Sequence, residues 1–337
     1  MMKLKQLGEF GLIDTIRARV GAMPGVHRGI GDDAAELEIP AGHHLLTSTD
    51  LLLEAVHFDF TWTSPHDLGR KTVAVNLSDI AAMGGTPRFL YVGLACPSDT
   101  EVAVLDAFVA GVLAEADAFG VVLVGGDTCR SPGPWIISVT VEGSAPPAEV
   151  IGRNGARPGD LVLVSGTLGD SALALSLWQR GASPGAFLAA RHNRPTPRVG
   201  LGRELARAGV PTAMIDLSDG LASDLAHILE ASGAGAEIRS AALPLSPEFR
   251  AYLDRQPELF SLALAGGEDY ELLCTVPPAR LAAALAAADR SGVALTVVGT
   301  VTEPAAGVQL RAGDGTLQPL RARGFDHFAA GGAGPGR

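Results

Sequence analysis

The sequence predicts an α+β fold in two domains, and three observations carry that expectation. At 337 residues the chain exceeds one average domain. Hydrophobic residues make up 47% and charged residues 19%, enough for sizeable cores and unlike a disordered chain. Helical and strand periodicities intermingle without the regular alternation of a doubly wound sheet.

Each element follows from local pattern. Leu12, Ile13, Ile16 and Val20 keep helical spacing over 7–20. A strand around 44–49 is expected to deliver Ser48, Thr49 and Asp50 at its end. Pro65-His66-Asp67 opens a helix to Met83 that puts Asn76, Asp79 and Met83 on one face, and Gly84-Gly85 ends it. A strand at 88–95, a helix at 99–119, a strand at 121–124 leading into G-G-D-T and a strand at 135–142 follow. G-S-A-P-P-A-E-V (143–150) reads as a linker, so the domains are expected at 1–145 and 146–328, with a flexible tail at 329–337. In the second half, strands are expected at 161–164, ending at Asp216, and at 271–276 and 293–300. Helices are expected at 170–180, 197–209, 219–231 and 278–290.

The carboxylates are the most informative residues. They recur in Gly/Ser/Thr-flanked clusters: G-I-G-D-D-A-A (29–35), S-T-D (48–50), N-L-S-D (76–79), G-G-D-T (125–128), I-D-L-S-D-G (215–220) and G-G-E-D-Y-E (266–271). Glycine permits close backbone approach to a ligand. Aspartate beside it supplies the hard oxygen that Mg²⁺ and Ca²⁺ accept. Six such clusters point to several divalent ions held against a polyanionic substrate.

Structural readings compete with each cluster. Asp32-Asp33 suits a turn, and Asp216 or Ser218 suits a helix cap. Glu268, Asp269 and Glu271 fit either a paired-carboxylate site or a turn of solvated acids. His57 taken alone reads as a hydrogen-bonded structural residue. Asp79 in an otherwise apolar helix is the sharper signal, because burying an unpaired carboxylate is costly.

Other classes are disfavoured. The net charge of −11 argues against a general nucleic-acid binder. The chain has no P-loop, no kinase signature and no legible Ser-His-Asp or Cys-His set, and its three tryptophans are dispersed. Cys96, Cys129 and Cys274 are too far apart for a C-x-x-C zinc site or a disulfide framework; Cys96 and Cys274 read as buried small hydrophobes. No signal-peptide pattern or membrane-length apolar run is legible, so a reducing cytoplasm is the expected location.

In order and spacing, G-I-G-D-D-A-A, S-T-D-L-L-L-E-A-V-H-F, A-V-N-L-S-D-I-A-A-M-G-G-T-P, G-G-D-T, I-D-L-S-D-G-L-A-S-D and G-G-E-D-Y-E-L-L resemble the thiamine-monophosphate kinase family. The match runs from Gly8-Glu9-Phe10 to Phe328, where G-F-D-H-F resembles a terminal G-Y-D-H-F. The resemblance implies a two-domain aminoimidazole ribonucleotide synthetase-like architecture. Its N-terminal mixed sheet with helices would form the dimer and nucleotide site, and an α/β C-terminal domain would complete the active site. It implies direct transfer of the ATP γ-phosphoryl group to thiamine monophosphate, with several Mg²⁺ and ATP as co-substrate.

Position by position, Asp33, Ser48, Thr49, Asp50, Asp79, Asp127, Asp216 and Asp219 match metal places. Gly126, Asp127, Arg153 and Ser218 match ATP places, and His57, Glu268 and Phe325 fall at substrate-pocket places. No residue is nominated as nucleophile or base. Arg321-Ala322-Arg323 stand where the family often has an aromatic, and Phe325 replaces its tyrosine. The resemblance also implies a homodimer, for which strands 88–95 and 135–142 would supply an interface. Two other readings are weighed: another ATP user of this superfamily, and a metal-stabilised dimeric binding protein without catalysis. Against the former, the glycine-rich N-terminal loop lacks a reactive cysteine and the chain ends in G-P-G-R; against the latter stands the intact acidic set.

Overall fold

The computed structural model describes residues 2–320, which form two compact units. Phe325, the Arg321-Ala322-Arg323 step and the 329–337 tail lie outside the described residues. One unit comprises 2–80 and 86–147, the other 81–85 and 148–320.

The first unit contains α1 (Leu4–Arg17), β1 (Val26–Arg28), β2 (Glu36–Leu37), β3 (His44–Leu53), α2 (Pro65–Ala82), β4 (Thr86–Cys96), α3 (Val102–Ala118), β5 (Val122–Arg130) and β6 (Ile136–Ala145). Its main sheet is mixed, in the order β3-β6-β4-β5, with only β4 and β5 parallel. On β3 the pleat alternates strictly: Leu46, Ser48, Asp50 and Leu52 share one face, while Leu45, Thr47, Thr49 and Leu51 are exposed on the other. Helix α2 is buried along most of its length, and α3 buries Leu105, Phe108, Val109, Val112 and Ala116. The two helices approach through glycines. A Cβ on Gly69 would sit 2.1 Å from the Phe108 carbonyl oxygen, and one on Gly111 would sit 2.0 Å from that of His66.

The second unit contains β7 (Leu161–Ser165), α4 (Asp170–Gln179), α5 (Gly185–Asn193), α6 (Val199–Arg207), β8 (Ala213–Asp216), α7 (Leu221–Ser232), β9 (Gly235–Arg239), α8 (Pro247–Leu253), α9 (Phe260–Ala265), β10 (Leu272–Val276), α10 (Leu281–Ser291), β11 (Leu295–Thr302), β12 (Val308–Arg311) and β13 (Leu317–Pro319). The strands form one sheet in the order β13-β12-β9-β11-β7-β10-β8. Its central strands are apolar on both faces. Val162, Val164, Ile215 and Leu273 face a core with Leu173, Leu188, Leu225, Phe249 and Ala263. Leu163, Met214, Leu272, Cys274 and Val276 face another with Leu201, Leu205, Ala284 and Ala287. That two-sided burial explains why these strands read as unbroken apolar runs.

Three sequence expectations need correction. Ser48, Thr49 and Asp50 lie within β3 and not at its end, because the strand continues through Leu53. The linker expected from Gly143 begins later: β6 runs to Ala145 and stays paired with β3. Helices α5, α8 and α9 and strands β1, β2, β9, β12 and β13 are additional, being short or weakly periodic.

Candidate active site

In the first unit, β3 and α2 assemble an acidic centre. Ser48 and Asp50 project from the same face of β3, and Ser48 Oγ donates to Asp79 Oδ2 on α2 at 2.5 Å. Burial first, and then the charge of Asp79, push the Asp50 carboxyl up to about 6. Asn76, one turn before Asp79, is fully buried; its Nδ2 donates to Thr72 O, while its Oδ1 meets no hydrogen-bond partner. Two crowded carboxylates and a hydroxyl are hard donors, and a small divalent cation suits them.

Across the sheet, Asp50 is in register with Val139, Val139 with Val92, and Val92 with Gly126. Gly126 has φ +155°, and a Cβ there would lie 2.0 Å from the Val92 carbonyl oxygen. Asp127 is exposed on β5 and accepts from the N–H of Thr128 at 2.9 Å. Asp33 is exposed in the loop between β1 and β2, its N–H donating to Asp32 Oδ1 at 3.0 Å. Thr49 points away from Ser48 and Asp50, and its hydroxyl donates to Val139 O at 2.8 Å. The structure thus links Ser48 to Asp79 by a hydrogen bond and Asp50 to Asp79 by charge.

His57 follows β3 in a loop whose Ala55 has a left-handed φ of 64°. Its Nδ1 accepts the N–H of Leu53 at 3.0 Å, which puts the ring proton on Nε2. Its carbonyl accepts from Lys71 Nζ on α2 at 3.3 Å. Lys71 is 1% exposed and was not singled out from sequence; a lysine inside an apolar helical stretch was the available signal.

In the second unit two clusters far apart in sequence join through their backbones. Asp216 ends β8, buried and in register with Leu272. The N–H of Leu217 donates to Glu271 O, that of Tyr270 to Leu217 O and that of Glu268 to Ser218 O, each at 2.8 Å. Glycine makes this approach possible, since a Cβ on Gly267 would sit 2.4 Å from Ser218 O. Glu268 and Tyr270 both take left-handed φ values, 66° and 50°, in the same turn.

The N-cap position of α7 is Gly220, so neither Asp216 nor Ser218 occupies it. Asp224 does the capping from inside the helix, accepting from the N–H groups of Asp219 at 3.1 Å and Gly220 at 3.0 Å. Ligand atoms of Asp219, Asp224 and His227 lie within 4.8 Å of one another, so the expected metal place at Asp219 has two further donors. Burial, then the charge of Asp219, push Asp224 up to about 7, and Arg153 draws it back down. Arg153 is exposed, yet its field reaches this loop.

The turn at 266–271 is not a turn of solvated acids. Asp269 and Glu271 are 3% and 0% exposed. Asp269 Oδ2 accepts the N–H of Gly169 at 2.7 Å, and Oδ1 has no hydrogen-bond partner. Glu271 accepts from Ser165 Oγ at 2.5 Å, from Arg191 at 3.0 Å and from both arms of Arg198. Burial raises the Glu271 carboxyl, but Arg198 and Arg191 outweigh it and hold it below the usual range. These two acids serve the architecture; Glu268 remains partly accessible beside them.

Residues 31–145 match the family of AIR synthase related proteins, N-terminal domain, and 157–310 match the C-terminal domain of the same family. The thiamine-monophosphate kinase of Salmonella typhimurium is 40% identical over 328 residues, covering 96% of this chain and 98% of the relative. That of Bacillus subtilis is 36% identical, covering 96% and 100%. Among solved structures, thiamine-monophosphate kinase from Stenotrophomonas maltophilia superposes with a TM-score of 0.81 at 39% identity, covering 90% of this chain and 96% of that one. AaThiL complexed with AMPPCP and TMP does so with 0.74 at 36% identity, covering 97% and 99%. The hydrogenase maturation protein HypE shares the fold alone, at 23% identity and a TM-score of 0.78. With both domains of the family matched in order and relatives aligned over nearly their full length, this chain belongs to the thiamine-monophosphate kinase family.

Proposed function

We propose that this enzyme transfers the γ-phosphoryl group of ATP directly to thiamine monophosphate, forming thiamine diphosphate in the last step of that cofactor's synthesis. The observation that carries the reading is the Ser48–Asp50–Asp79 centre, where burial and like charge leave a carboxylate at about 6 with hard oxygen donors around it. Family membership supports the reaction, and a relative complexed with AMPPCP and TMP supports both substrates.

In the first unit, Asp33, Ser48, Thr49, Asp50, Asp79 and Asp127 are the proposed magnesium-holding residues, and Gly126 with Asp127 the proposed ATP contacts. In the second, Asp216 and Asp219 hold metal, while Arg153 and Ser218 contact ATP. Bound Mg²⁺ would supply charge neutralisation, letting two phosphate-bearing molecules approach. The chain's own part is to fix positions: α2 and β3 hold the acids beside one another, and Gly126 lets β5 pass close against the Val92 backbone of β4. Arg153 offers a bidentate phosphate contact. His57 and Glu268 would orient the acceptor. An acceptor phosphate ionised near neutral pH needs no strong base, so none is assigned.

The enzyme is further proposed to act as a cytoplasmic homodimer. The expected interface strands 88–95 and 135–142 fall in β4 and β6; Ile136 on β6 stands exposed together with Leu45 and Leu51 on the neighbouring β3, which supports an interface on that face. Among the described residues no helix is long and apolar enough to cross a membrane. The test is ADP release measured with each acceptor and metal omitted in turn. Release that requires both thiamine monophosphate and Mg²⁺ is expected. Release with another acceptor only would move the enzyme elsewhere in the superfamily, and nucleotide binding without turnover would leave a binding protein.

A further inference from the structure

Helix α5, absent from every motif above, carries in its last turn two consecutive residues that grip the 266–271 turn. Arg191 Nη2 donates to Thr167 O at 3.3 Å, Asp269 O at 3.5 Å and Glu271 Oε1 at 3.0 Å, so it fixes the turn's backbone. The next residue meets the turn's side chain instead. His192 Nδ1 lies 3.4 Å from Glu268 Oε2 and 3.0 Å from Ser171 Oγ on α4. The imidazole is 3% exposed and packs edge-on against Trp178, with ring centroids 5.5 Å apart; the Glu268 side chain is 24% exposed. A nearly buried ring therefore stands behind a partly accessible carboxylate whose own backbone is held left-handed.

We propose that His192 is a positioning residue for acceptor recognition: through Nδ1 it sets the direction of the Glu268 carboxylate, while Arg191 holds the turn that carries it. The inference rests on the reading of Glu268 as an acceptor contact. It adds a residue to which that reading gives no part. Orientation of a recognition carboxylate matters because a carboxylate aimed about 1 Å astray loses most of its hydrogen-bond and charge complementarity.

The experiment is a double-mutant cycle on the full chain, read as separate Michaelis constants for thiamine monophosphate and ATP, with a thermal melt of each variant. His192→Ala should raise the constant for thiamine monophosphate about tenfold and leave kcat and the constant for ATP nearly unchanged. His192→Asn, which keeps an amide near the Nδ1 position, should restore most of the loss. In a Glu268→Gln background His192→Ala should add little, because its target is already altered. Equal effects on both substrates, no rescue by asparagine, or a full effect persisting in the Glu268→Gln background would each overturn the proposal. If Glu268→Gln alone leaves the constant for thiamine monophosphate unmoved while turnover persists, the reading of Glu268 fails first and the inference falls with it.

Discussion

At the scale of single residues, Asp79 is where charge and geometry meet. It accepts from Ser48 and its charge helps lift Asp50, so its substitution separates function from folding. Asp79→Asn keeps an acceptor for Ser48 and removes the like charge beside Asp50. We expect phosphoryl transfer to fall by a hundredfold or more, about the loss seen when one preorganised electrostatic partner is removed. The melting temperature should hold or rise. Acceptor-dependent ADP release beside a thermal melt checks both, and retained turnover would take Asp79 out of the site. Residues such as Asp79 were legible from sequence because an acid in an apolar helix has few cheap explanations. His192 and Lys71 were not, since a histidine or lysine gives no sign of its partners until the chain is folded.

At the scale of elements, α2 is held where its acid is needed by its contact with α3. Gly69 and Gly111 bring the two backbones so close that any added methyl meets a carbonyl oxygen. Replacing Gly69 by alanine must push the helices apart or bend one of them. A loss of about 1–3 kcal/mol is expected from such overpacking, more than any gain in helix propensity returns. Urea unfolding of the variant measures it, and an unchanged midpoint would show that the crossing relaxes freely. The helix itself was predictable from its boundaries and periodicity, but the crossing was not, because Gly69 and Gly111 lie in different elements with no local signature. Strand β3 teaches the same lesson: its residues were located, whereas alternation separated Thr49 from Ser48 and Asp50.

At the scale of the whole molecule, buried acids set the response to pH. Asp269 is pushed up to about 8, first by burial and against the pull of Arg191 and Gly169. A carboxyl whose folded value exceeds its ordinary 3.8 binds its proton more tightly when folded. Its contribution is therefore whole below about 4 and is lost as pH rises toward 8. Asp269→Asn keeps the neutral form at every pH and should flatten the fall in melting temperature between about pH 4 and 8. Melts of both proteins across that range test this, and parallel curves would mean that Asp269 stays neutral or is compensated elsewhere.

By itself the sequence determined the α+β character, the apolar cores, the acidic clusters and the family to which they point. Those properties live in periodicity and composition, which neighbouring residues display without help from the rest of the chain. Only the tertiary structure decided which acids act together. It paired Ser48 with Asp79 across 31 positions and tied the turn at 266–271 to Leu217 and Ser218 by backbone bonds. It also turned Asp269 and Glu271 inward, Glu271 as an ion held by Arg191 and Arg198 and Asp269 as an acid that burial keeps protonated. The reason is physical: a carboxylate's role depends on its solvent exposure and on the charges around it, and both are fixed by long-range packing.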